Sequence, residues 1–108
     1  MTLEKTDTID IITKPQDGRV GLIIVDAGVT TDPEARFLRL MAKLKTYGAY
    51  VMSDDFKQRN PGIGPSDVII RIVFNPSTPP TQQMLEIAYV RPKGQNDQIP
   101  VVFEKGPQ

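Results

Sequence analysis

The sequence predicts an α+β fold in which a mainly antiparallel sheet, with elements in the order β-β-α-β-α-β, carries its helices. Three observations lead there. Two β-branched runs, 8–13 and 19–25, flank Lys14-Pro15-Gln16-Asp17-Gly18, which has the turn chemistry of a hairpin. A helix-start pattern at Thr31 precedes a long amphipathic stripe. Two more apolar runs, 67–74 and 99–104, lie beyond it.

Each element has its own grounds. In the N-terminal β-hairpin, Pro15 presets a turn and Asp17-Gly18 supplies the positive-φ position. Thr31 followed by Pro33 and Glu34 reads as a capping box, with Thr31 as the N-cap and Glu34 reaching back to it. Behind it Phe37, Leu40, Met41, Leu44, Tyr47 and Val51 recur at helical spacing and form one apolar face. Gly48 loosens or ends the helix, although Ala49-Tyr50-Val51 continue its pattern. Residues 53–66, rich in Asp, Gly and Pro, read as a loop, and Asn60-Pro61-Gly62-Ile63-Gly64-Pro65 lacks the Lys-Ser/Thr ending of a phosphate loop. A third strand covers 67–74. Thr78 is placed as the N-cap of a short helix over 79–89, with Met84, Leu85, Ala88 and Tyr89 on its face. The last strand, 99–104, contains Pro100 and is placed at a sheet edge.

One property of the strands bears on assembly. Val20, Leu22 and Ile24 alternate with Ile23 and Val25, and Val68, Ile70 and Ile72 alternate with Ile69 and Val73, so both strand faces are apolar. Both faces then need a cover, and one short helix is available for the second, which leads to the expectation of a homodimer.

Composition removes several function classes. The 108 residues include no His, Cys or Trp, so imidazole and thiolate chemistry and the usual activators of a Ser nucleophile are absent. Thirteen basic and thirteen acidic residues cancel, which disfavours a phosphate-driven nucleic-acid binder. A chain of 12.0 kDa is read as a single domain, 1–108. Met1–Asp7 has no apolar run and no segment has the length of a bilayer span, so a cytoplasmic, bacterial-type protein with no membrane association is expected.

The polar residues offer two weak constellations. Asp26, Asp32 and Glu34 fall close together around the helix start and would suit a hard cation or acid–base work, although acids there also complement the helix dipole. Arg36, Arg39 and Lys43 run along one margin of the helix as a solvated edge or a surface for an acidic partner or phosphate. Arg71 interrupts an apolar strand and either pairs with an acid on a neighbouring strand, Asp10 for example, or points to an interface.

Ile9-Asp10-Ile11-Ile12, the run from Gly18 to Asp26, and Leu38, Leu40, Lys43-Leu44, Tyr47 and Tyr50-Val51 resemble a small bacterial domain family of unknown function. Its members open with a Val-Asp-x-Ile strand and a Gly-x-Val-x-Leu-x-Ile-x-Asp strand, followed by a helix ending Lys-Ile-Asn-x-Tyr-x-x-Phe-Ile. The similarity covers roughly residues 7 to 53 and implies an α+β domain without an established activity. Where members often carry an aromatic residue and a His, this chain has Val29 and Arg36.

The leading expectation is a non-enzymatic interaction or accessory module that self-associates, with Arg36, Arg39, Lys43 and Arg71 as the candidate interaction surface and no catalytic, cofactor-binding or metal residue assigned. The alternative is a small metal-binding protein or enzyme built on Asp26, Asp32 and Glu34.

Overall fold

The two N-terminal β-branched runs form adjacent strands, β1 (Ile11–Thr13) and β2 (Val20–Asp26). They pair antiparallel, with Ile11 opposite Ile23 and Thr13 opposite Gly21, as a hairpin requires. The computed structural model describes residues 11–13, 20–64, 67–92, 94 and 97–106, and the side chains from 20 onward. The turn at 14–18 and Asp10 lie outside the described residues.

After β2 come the helices α1 (Pro33–Val51) and α2 (Asp54–Arg59), then β3 (Val68–Phe74), the single turn α3 (Gln82–Leu85), β4 (Tyr89–Val90) and β5 (Ile99–Lys105). The strands lie in the order β1-β2-β3-β5-β4. The α+β expectation holds, but the mainly antiparallel sheet does not. β2 and β3 are parallel along their whole length, β3 and β5 are parallel from Ile70–Val101 to Phe74–Lys105, and the antiparallel pairs are confined to short β1 and β4. The reason lies in the connection: a chain that leaves β2 and returns through nineteen residues of helix can enter the next strand in the same direction, which a tight turn cannot achieve.

The core forms on one face of this sheet. Val20, Leu22 and Ile24 of β2, Val68, Ile70 and Ile72 of β3, and Ile99 and Val101 of β5 point to it. Leu40, Leu44, Tyr47 and Val51 of α1, Phe56 of α2 and Met84 of α3 close over them in one cluster. Removing that apolar area from water is the main force holding helices to sheet. Tyr47 also anchors α1 to β2, its hydroxyl donating to the Ile23 carbonyl at 2.8 Å.

Local chemistry sets the element ends, and here several expectations are corrected. The N-cap of α1 is Asp32, not Thr31: its carboxylate accepts from the Ala35 N–H at 2.9 Å, with Pro33 at the first helical position. Asp32 meets the cap preference as well as Thr31 does and lies one residue closer to the first turn. The helix runs through Gly48, and Met41 of the expected apolar face is exposed. Part of the expected 53–66 loop is α2, capped by Ser53, which accepts from the Phe56 N–H at 3.2 Å. The later helix is capped by Thr81 rather than Thr78, ends at Leu85, and gives way to β4 over Tyr89–Val90. β5 pairs with β3 on one side and with β4 only at Ile99 and Pro100, so Pro100 precedes the β3 ladder and costs it no hydrogen bond. No helix among the described residues is long and apolar enough to cross a membrane.

Candidate functional site

The acidic residues around the helix start do not converge. Asp26 ends β2 almost fully buried (1% exposed), and Arg36, in the first turns of α1, is 6% exposed and turned towards it. Arg36 Nε donates to Asp26 Oδ2 at 2.8 Å and Nη2 lies 2.7 Å from the same oxygen. Two further guanidinium contacts go to the carbonyls of Pro79 (Nη1, 2.9 Å) and Thr78 (Nη2, 2.7 Å), while the Gly28 N–H donates to Asp26 Oδ1 at 3.3 Å. The cluster therefore ties three segments together: the end of β2, the start of α1 and the 75–79 connector. Asp32 is engaged as the cap, and Glu34 is exposed in the first turn. Among the described residues no three acidic side chains come together as a metal site would need. The alternative built on Asp26, Asp32 and Glu34 thus finds no open carboxylate cluster, and Asp26 is neutralised by a cation in direct contact.

The basic stripe is likewise redistributed. Arg36 is consumed as described. Lys43 is wholly buried, with Nζ 5.6 Å from the centre of the Tyr47 ring, and of the three only Arg39 is exposed. Arg36 and Lys43 stand at helical spacing on either side of Leu40, on the side that faces the sheet, so the solvated margin expected for all three exists only at Arg39.

Arg71 leads to the surface that remains. It projects from the other face of β3 and pairs with Glu104 of β5, an acid on a neighbouring strand as expected; Asp10, the acid named as an example, lies outside the described residues. The pair is diagonal: Arg71 stands opposite Val102, and Glu104 opposite Val73. Ile23 and Val25 of β2 complete the patch beside Ile69 and Val73 of β3. All of these side chains are half-buried. No described helix packs on this face, because the helical side chains that are buried belong to the cluster on the other one. Glu104 and Val102 were not legible as members of this surface. Their parity in β5 was the available signal, but using it requires knowing that β5 lies beside β3.

Among the described residues this sheet face is mostly apolar, with Arg71 in the middle of β3 and Glu104 diagonal to it near the end of β5. A family of unknown function (DUF6572) matches residues 1–101, which extends the likeness seen in the N-terminal half across most of the chain. No curated protein and no solved structure matches the chain.

Proposed function

The chain belongs to DUF6572, a family of unknown function, and we propose that it acts as a non-catalytic interaction module that works as a pair of identical chains joined across the open sheet face. The observation that carries this reading is the parallel pairing of β2, β3 and β5 with the described helices packed on one face only. Parallel sheets are characteristically covered on both faces, and the three central strands of this mixed sheet are parallel. Completing the burial of Ile23, Val25, Ile69, Val73 and Val102, already half-buried, would recover for each only part of the ~1.5–3 kcal/mol that full burial contributes, which still favours a cover over exposure.

A second copy suits the patch because the patch is complementary to itself. A two-fold axis brings the same surface together from both chains, so each ion on it meets its image or its opposite. With Arg71 and Glu104 paired diagonally on the same patch, Arg71 of one chain can face Glu104 of the other, and the two cross-pairs replace repulsion with attraction. The surrounding Val and Ile side chains supply the apolar core of such an interface.

Charge exchange tests this. Arg71→Glu and Glu104→Arg chains, each verified as folded by circular dichroism, should each self-associate at least about tenfold more weakly than the parent. An equimolar mixture of the two should regain association, since opposite charges then meet across the axis. Unchanged association of both single variants, or a mixture no tighter than its components, would overturn the reading.

A further inference from the structure

The helical side of the molecule carries a second surface, independent of the sheet-face pairing. Met41 and Lys45 on an outer stripe of α1, with Met52 at its C-cap, form one wall of a groove of about 710 Å³, whose other wall is Tyr89, Arg91 and Pro92. Gly48 lies on the groove between them, where a Cβ would stand 3.4 Å from Val90 Cγ1, so helix and strand approach to van der Waals contact at this position.

Two features define what the groove accepts. Its charged lining residues are Lys45 and Arg91, both cationic and one on each wall. Neither forms an ion pair with an acid among the described residues, and the Arg91 guanidinium lies over the Tyr89 ring, 5.7 Å from its centre. The apolar surface also continues beyond the groove. Met41 and Tyr89 are exposed within it, and Leu38, 59% exposed, extends the α1 stripe one turn before Met41. Leu85, also exposed, ends α3 just ahead of the second wall.

We propose that this groove binds an amphipathic helix of a partner protein whose apolar stripe is flanked on both sides by carboxylates. Cations on opposite walls match acids on the two flanks of a helix better than the single head group of a lipid-like anion. An apolar stripe that runs on past the groove likewise calls for a ligand longer than the cavity. Methionine adapts its shape to varied apolar partners, and grooves of this kind accept the i, i+3, i+4, i+7 face of a helix.

The test uses the full chain labelled with ¹³C at the methionine methyl groups, which places reporters at Met41 and Met52 in the groove and at Met84 in the core. The probes are a synthetic peptide with Leu at helical spacing flanked by Glu, the same peptide with Lys in place of Glu, and dodecanoate. The Glu peptide should shift the Met41 and Met52 methyl signals to saturation while leaving Met84 in place, and the Lys peptide should bind at least about tenfold more weakly. The double variants Lys45→Gln/Arg91→Gln and Lys45→Glu/Arg91→Glu, checked for folding by circular dichroism, should weaken the Glu peptide progressively. Absence of a saturable shift, equal binding of the two peptides, indifference to both double variants, or binding of dodecanoate without the peptide would each overturn the proposal.

Discussion

Arg36 reaches from the start of α1 to the end of β2 and sets two of its nitrogens on one oxygen of Asp26, Nε at 2.8 Å and Nη2 at 2.7 Å. A buried pair of this kind adds little net stability over an apolar substitute, yet it makes each partner dependent on the other. Arg36→Met should therefore cost about 3–5 kcal/mol in urea unfolding, because the Asp26 charge is left buried and unpaired. Adding Asp26→Asn to that variant should recover part of the loss, whereas Arg39→Met, at an exposed position, should change little. Equal effects at Arg36 and Arg39 would contradict this account of the cluster.

The start of α1 gives a second prediction. Asp32→Ala should destabilise the fold by about 1 kcal/mol in thermal unfolding, through loss of the bond from the Ala35 N–H. Thr31→Ala should fall within about 0.5 kcal/mol of the parent, since Thr31 lies outside the cap. The reverse ranking would return the helix start to Thr31.

Two glycines at positive φ separate strain from crowding. Gly28 has φ +80° and Gly62 φ +83°, but a Cβ at Gly28 would stand 2.5 Å from Thr78 Oγ1, while one at Gly62 meets nothing within 4 Å. Gly62→Ala should cost about 1–2 kcal/mol from backbone conformation alone. Gly28→Ala should cost more, because it also drives the 75–79 connector away from the end of β2. Chemical denaturation of the two variants side by side makes the comparison, and equal losses would show that the close approach to Thr78 contributes nothing.

The pattern of success along the chain follows from the range of the interactions involved. β1 beside β2, the long α1 and β3 are specified by near neighbours: turn chemistry, a 3.6-residue stripe and a β-branched run. α2 escaped because it is a single short helix with one buried apolar residue, Phe56, set among charged ones. Even so, Ser53 followed by Asp54-Asp55 is a recognisable cap and acidic first turn. The parallel pairing escaped for a different reason, since strand direction depends on partners tens of residues apart. Its signature was nevertheless present in Ile23, Val25, Ile69 and Val73, the second apolar parity that typifies parallel strands. At the candidate site, Arg36 and Lys43 were assigned to solvent because they are charged, although their spacing from Leu40 places them with the buried face of α1. Arg71 was legible as a residue in need of an acid, and the identity of that acid as Glu104 required the sheet order.

The central claim, that the face bearing Ile23, Arg71, Val73 and Glu104 is covered by a second copy, is tested most directly by sedimentation equilibrium from low to high micromolar concentration, on the parent and on Val73→Asp. The parent is expected as a species of twice the 12.0 kDa chain mass that dissociates on dilution, and a folded Val73→Asp variant at 12.0 kDa throughout. A parent that remains at 12.0 kDa at the highest concentration, or a Val73→Asp variant that pairs as tightly as the parent, would contradict it.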